Sequence, residues 1–370
     1  MNVGSSDMVR PPRSVIPSIA NTTERSTEYL MKIALNGASG YTGRLAVAEL
    51  ARRGIEAVLV GRNPERLRAA AAGTGFEVRI ADIGDQDSLE AAFAGADAVV
   101  NTAGPFARLG APVVRAAVAA GAHYVDTTGE QHYINEVFDT FTGAAVDAGV
   151  TVVPAMADDG GPSDFISHLV GETVGPVDRL TVALWYRDGG FSRGTLRSLD
   201  PDLLFDGALR YENGGWTTYG AASHATWRFP SGDAPVGVSK AALPPVATVP
   251  RHVPVGRMEG LLGGSFDALK DVIAPAVIDS LPEGPDDEQR RQGRWTISVE
   301  ASGQGGRTVR GEVEGTDGYG KTAVIAVEAA RRLVTDGAKA GVLAPSQAFG
   351  PESFMDFLSG HGVRWRVTEG

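Results

Sequence analysis

The chain of 370 residues contains no cysteine, which excludes disulfides, thiolate metal sites and cysteine nucleophiles. A reducing cytoplasm fits that absence and is the expected compartment. Every apolar run falls short of the roughly 18 residues of a membrane-spanning helix. Positive charge is the minority: 34 Lys and Arg stand against 45 Asp and Glu, a net charge of −11. That balance disfavours nucleic acid and anionic membranes as partners, because both need a basic face. The six histidines (123, 132, 168, 224, 252 and 361) are scattered without metal-ligand spacing, so no metal is expected. No serine stands in a G-x-S-x-G context, which leaves nucleophilic hydrolysis without support. Internal repeats are absent as well.

What is present begins after residue 30. Residues 1–30 are polar, proline-interrupted and without period, as a disordered tail would be, and Met31 reads as the true start. From there short apolar strands (31–36, 56–60, 76–80, 97–101, 123–126, 151–155) alternate with alanine-rich helices (42–53, 64–73, 87–94, 110–121, 134–148). Alternation with such short connections predicts a doubly wound parallel α/β sheet over 31–156. The length suits two domains.

In this setting the stretch "MKIALNGASGYTGRLAVAELARRG" (31–54) acquires a mechanism. Three glycines, Gly37, Gly40 and Gly43, separate the first strand from the first helix. Gly37 permits the tight turn, Gly40 admits a pyrophosphate to the backbone at the helix N-terminus, and Gly43 allows helix to pack on sheet. Ser39, Tyr41 and Thr42 complete the expected phosphate loop. NAD-binding chains place Asp or Glu at the tip of the second strand to hold the ribose 2′-hydroxyl. Here "EAVLV" runs instead into Gly61 and Arg62, and a guanidinium suits a 2′-phosphate. NADP(H) is therefore expected over NAD(H), with a solvated loop arginine as the plainer account of Arg62. Asp82 either reaches the adenine edge or caps a helix.

The fourth strand delivers Thr102, Ala103, Gly104, Pro105 and Phe106 to the edge where such sheets bind ligands. This loop is expected beside the nicotinamide. The next strand ends in "HYVDTTGEQHY" (123–133), rich in protic groups at the same edge. Asp126 or the threonine pair could equally cap the following helix. Hydride transfer to C=O, C=N or C=C needs a proton donor near the second atom. Tyr133, His132 and Tyr186 are the candidates, although core packing is the commoner role for such tyrosines and water could serve instead.

Several of these segments together resemble the saccharopine dehydrogenase-like NADP-binding proteins: "GASGYTGR" (37–44), "GR" (61–62), "NTAGPF" (101–106), "HYVDTTGE" (123–130) and "VVPAMADDGGPSDF" (152–165). That group includes trans-acting enoyl reductases of actinobacterial lipid and polyketide pathways. "RGTLRSL" (193–199), "GYGKTAVIAVEAARRL" (318–333) and "GVLAPSQAFGPESFMDFL" (341–358) resemble its second half. The resemblance implies an NADPH-dependent reductase of a small or carrier-bound metabolite, with a Rossmann domain and an inserted α+β domain for substrate.

Read for itself, the second half supplies strand-like segments at 179–190, 215–230 and 293–315 and a proline-rich extended connection at 243–256. Pro162, Ser163 and Asp164 read as a helix start, with the last two as caps. A mixed or antiparallel sheet is expected over 157–318. Amphipathic helices from 319 to 370 should pack back on the first domain. An exposed sheet edge or face offers a route to a homodimer. Two other functions stay open beside the reductase: a non-redox NADP(H)-binding sensor or partner protein, and an isomerase or epimerase that retains its cofactor.

Overall fold

The computed structural model describes residues 31–205, 207–220, 224–230, 232, 234–264 and 275–369. The tail expected at 1–30 lies outside them. Six strands follow the alternating pattern: β1 (Lys32–Asn36), β2 (Glu56–Gly61), β3 (Glu77–Ile80), β4 (Ala98–Asn101), β5 (His123–Asp126) and β6 (Thr151–Val153). The helices between and after them are α1 (Tyr41–Arg53), α2 (Pro64–Ala71), α3 (Gln86–Phe93), α4 (Phe106–Ala119), α5 (Gln131–Asp147) and α6 (Gly161–Val174).

The strands pair in parallel in the order β6-β5-β4-β1-β2-β3. The order reverses at β1, which lies between β2 and β4, so a crevice opens beyond the carboxyl ends of β1 and β4. Side chains alternate across the sheet as period two requires. Ile33 and Leu35 enter one apolar cluster with Leu50, while Ala34 enters another with Phe93 and Val113. Both faces are covered, which is why these strands read as continuous apolar runs.

Two helices begin earlier than the sequence pattern suggests, α4 at 106 rather than 110 and α5 at 131 rather than 134. For α4 the reason is a cap from another loop. The Glu130 carboxylate accepts from the N–H groups of Phe106 at 2.7 Å and Ala107 at 2.8 Å. For α5, the Asp126–Thr128 and Thr128–Glu130 turn bonds bring the chain into helix by Gln131.

The second sheet is mixed. It contains β7 (Val177–Arg187), β8 (Leu209–Glu212), β9 (Gly215–Thr218), β10 (His224–Trp227), β11 (Val236–Lys240), β12 (Val255–Gly263), β13 (Arg294–Gly303) and β14 (Thr308–Thr316). β7 runs parallel to β12 and antiparallel to β13, and α6 packs against β13 and β14. The connection expected to be extended at 243–256 is corrected: Pro245–Thr248 is a helical turn followed by a 3-10 turn at Val249–Arg251. Proline fixes φ near the helical value, and in a first turn its missing N–H costs nothing, so Pro245 and Pro250 open turns here.

The last residues divide between the sheets. The helix Gly318–Thr335 packs on α1, β4 and β5. Its buried Glu328 takes Arg53 at 2.6 Å, Arg332 at 2.7 Å and Arg331 at 2.9 Å, which holds the carboxyl down at about 2 despite burial. β15 (Gly341–Val342) then pairs with β6 in the first sheet, and β16 (Arg364–Glu369) with β14 in the second.

Candidate functional site

One cleft of about 1620 Å³ runs from the glycine turn after β1, past the loops after β4 and β5, to the end of β7 and the segment around Tyr319. Such a volume exceeds the roughly 300–1,000 Å³ of a single small-ligand pocket, so it has room for an extended ligand and a second molecule.

At one end lies the expected phosphate loop. Gly37 has φ of +81°, and a Cβ there would meet Thr102 Oγ1 at 2.9 Å. A Cβ on Gly43 would meet the Gly37 carbonyl oxygen at 2.1 Å. The fold itself therefore requires glycine at both positions. Gly40 differs. A Cβ there would meet only Gly37 O, at a tight 3.2 Å that a small shift would relieve, so packing does not by itself exclude a side chain. Gly40 is also the N-cap of α1, which has no side-chain cap and no acid in its first turn, whereas Asn63 caps α2 and Asp85 caps α3. A 13-residue helix thus presents unsatisfied N–H groups and its positive dipole end to the cleft. That donor set fits a pyrophosphate, and it makes sense of Gly40 where packing does not.

Of the residues the sequence singled out, Gly37, Ser39, Gly40, Tyr41, Thr42, Arg62, Thr102, Ala103, Gly104 and Pro105 line this cleft, as do His132, Tyr133 and Tyr186. Gly43 is buried behind it. Asp82 is exposed, its Oδ1 accepting from Gly84 N at 2.8 Å, while its neighbours Ala81 and Ile83 line the cleft in its stead. Arg66 joins Arg62 in lining the cleft, and Arg44 is tied to the same turn. Arg44 and Arg66 both donate to the Ser39 carbonyl, each at 3.0 Å. No spacing signal marks them, since their meeting point is made by the turn between β1 and α1.

The three proton-donor candidates have different settings. Tyr133 is 1% exposed, with its hydroxyl 3.1 Å from Asp126 and 3.3 Å from that of Tyr124. Its ring fills the space a Cβ on Gly110 would take. Asp126 is not a helix cap: it is buried and accepts from Ala155 N, Thr128 N and both tyrosine hydroxyls, with burial raising its carboxyl to about 6. His132 is exposed and bonds the Gly207 carbonyl at 2.9 Å. Asp164 likewise caps no part of its own helix; it is buried and accepts from Thr248, His252 and the Ser346 N–H.

Tyr186, at the end of β7, reaches the far end of the cleft. Its hydroxyl donates to Asp158 Oδ2 at 3.2 Å. Thr322 donates to Asp158 Oδ1 at 2.9 Å and accepts from the Asp158 N–H at 3.1 Å. Asp159, next in the chain, has its carboxylate against Gly129 and also lines the cleft. Burial raises the carboxyls of both aspartates, and for Asp159 the neighbouring Asp158 charge adds to it. Burial, then the Asp158 charge, also lifts the Tyr186 phenol well above its usual value. Two donors favour the charged form of Asp158, whereas burial and the Asp158 charge push the Asp159 carboxyl up to about 8. The signal in the sequence was two adjacent acids directly after the last strand of the alternating series.

Residues 33–153 match the family model for the saccharopine dehydrogenase NADP binding domain. A protein of Mycobacterium tuberculosis whose name proposes a trans-acting enoyl reductase is 35% identical over 179 residues, 45% of this chain and 43% of that protein. A trans-acting enoyl reductase of Mycobacterium ulcerans is 35% identical over 150 residues, 39% of this chain and 36% of that one. The chain thus matches less than half the length of these curated relatives. In fold, it resembles apo saccharopine dehydrogenase (L-Glu forming) from Saccharomyces cerevisiae, with a TM-score of 0.62 at 15% identity over 92% of this chain and 100% of the other. An amine dehydrogenase from Mycobacterium smegmatis follows at a TM-score of 0.50 and 10% identity, over 88% of this chain and 98% of the other. The uncapped glycine turn, the reversal of strand order and these likenesses agree: residues 33–153 are similar to the saccharopine dehydrogenase NADP binding domain, and the fold as a whole resembles that of saccharopine dehydrogenase.

Proposed function

We propose that this protein is an NADPH-dependent reductase acting on the C=C bond of an acyl-type, carrier-bound or small substrate. The observation that carries the reading is the single cleft joining the uncapped N-terminus of α1 to the Asp158–Asp159–Tyr186 cluster. Bound NADPH would supply a hydride. The residues of the chain supply everything else. Gly40 and the first turn of α1 would hold the pyrophosphate, and Arg62, Arg66 and Arg44 would receive the 2′-phosphate. The loop Thr102–Pro105 would orient the nicotinamide. Asp159 holds a proton at neutral pH for the substrate atom that does not take the hydride. Asp158, fixed by Thr322 and Tyr186, keeps that proton from leaving by its own charge.

The relatives' names favour an enoyl substrate, and the second half of the cleft agrees in character. Leu199, Leu203, Leu204, Leu243, Leu262 and Ile278 line it, an apolar wall suited to a hydrocarbon chain. Stopped-flow absorbance of NADPH with an enoyl thioester, an imine and a ketone tests the assignment. Oxidation by the thioester alone is the expected result. Oxidation by the imine or ketone instead would change the bond, and binding without oxidation by any of the three would favour the sensor reading. Substrate conversion without net NADPH loss would point to an isomerase.

A further inference from the structure

The segment 281–285, "LPEGP", crosses the phosphate loop from more than two hundred residues further along the chain. Tyr41 donates to the Pro285 carbonyl at 2.6 Å, and Gly284 lies so near the Tyr41 ring that a Cβ would stand 2.6 Å from it. The strap is also tied at its other side, where Arg193 N donates to the Glu283 carbonyl at 3.0 Å. Between these anchors the Glu283 carboxylate bridges two arginines, Arg44 at 2.9 Å and Arg66 at 2.6 Å. Both guanidinium groups are at the same time held on the Ser39 carbonyl inside the glycine turn.

We propose that Glu283 is a specificity-determining residue of the cofactor site, competing with the 2′-phosphate of NADP(H) for Arg44 and Arg66. The inference rests on the NADP(H) reading given above and adds a residue to it. A carboxylate is a monoanion with two acceptor oxygens; a 2′-phosphate approaches a dianion with three, so the phosphate wins the arginines but must displace a bidentate competitor. The effect of Glu283 is to hold NADPH affinity below what three arginines would give, and to keep the arginines ordered at the mouth of the site.

The test is calorimetric and needs no turnover. The probes are 2′,5′-ADP, 5′-AMP, NADPH and NADH, titrated at fixed salt into wild type and Glu283→Gln. Glutamine keeps the length and the strap's backbone anchors but removes the charge. Removing two half-exposed ion pairs should tighten 2′,5′-ADP and NADPH about three- to tenfold, with 5′-AMP and NADH unchanged. In an Arg66→Ala background the gain should shrink by at least half, because one of the two competed partners is gone. Unchanged or weaker binding of 2′,5′-ADP to Glu283→Gln would overturn the proposal and leave Glu283 as a strap anchor only. Should Glu283→Gln melt well below wild type, Glu283→Asp, with its shortened reach, must still tighten 2′,5′-ADP or the proposal falls. Failure of the underlying reading looks different: wild type would bind 2′,5′-ADP no better than 5′-AMP, and both claims would go together.

Discussion

The two ends of the cleft are built on opposite principles. The phosphate end is basic and open, with Arg44 and Arg66, in the first turns of α1 and α2, 41% and 55% exposed and their charges shared with Glu283 and a backbone carbonyl. The far end holds two half-buried carboxylates, and the groups around them come from four separate places: the turn after β6, the end of β7, the loop after β5 and the helix Gly318–Thr335. Exposed arginines stay charged and adapt to a ligand that brings its own charge. Half-buried aspartates have their protonation set by the fold before any ligand arrives. In the proposed function binding belongs to one end and proton transfer to the other, and each should fail in its own way.

The largest expected effect divides them at the turn. Gly40→Val should reduce NADPH binding below calorimetric detection while the domain stays folded, since the added side chain blocks backbone approach and its Cβ meets only the Gly37 carbonyl, at 3.2 Å. Gly43→Ala, three residues away, should instead unfold the domain, because its Cβ would stand 2.1 Å from a backbone oxygen. Identical behaviour of the two variants would erase the distinction between a glycine kept for ligand and one kept for fold.

Next comes the acidic end. Asp159→Asn should lower kcat by roughly 10²–10⁴-fold, the range of a lost general acid, with NADPH affinity within twofold of wild type. The pH dependence follows from the direction of the shift. Asp159 is raised above the ordinary carboxylate range, so the required protonated form persists into the neutral region and is lost as pH rises through its raised pKa. The rate should therefore fall on the alkaline side in wild type, and that limb should vanish from the residual activity of the variant. An Asp159→Asn enzyme with full kcat would return the donor role to water or to Tyr186.

Smaller effects are expected at the basic end. Arg62→Ala or Arg66→Ala should each weaken NADPH by about 10- to 150-fold, the equivalent of about 1.5–3 kcal/mol for a charge-assisted contact, with NADH nearly unchanged. Equal wild-type affinity for the two cofactors would remove the 2′-phosphate from the site altogether. The smallest effect belongs to Asp82, whose carboxylate faces Gly84 N: Asp82→Ala should leave both cofactor affinities within error. A measurable loss would put it on the adenine after all.

The comparison also separates what could be read in advance. The basic end was legible because its determinants are local. A glycine turn, a strand tip without an acid and an arginine one residue later all lie within thirty residues, and alternating strands and helices fix their common edge. Arg66 was missed because its role depends on where α2 begins, and Asn63 sets that by capping. At the acidic end Tyr186 was named without its partners. Tyr133 and Tyr186 look alike as sequence, yet one hydroxyl is turned into the core on Asp126 and the other into the cleft on Asp158.

The sequence by itself determined the parallel sheet, its switch point and the anion-binding turn, since period-two and period-3.6 patterns and glycine stereochemistry act over a few residues. Only the tertiary structure decided that Glu283 meets Arg44 and Arg66, that Thr322 and Tyr186 meet Asp158, and that burial pushes the Asp159 carboxyl up. Those outcomes depend on burial and on groups brought together from as few as 28 to as many as 239 residues apart. Desolvation and Coulomb energy are functions of distance in space, and no spacing along the chain encodes them.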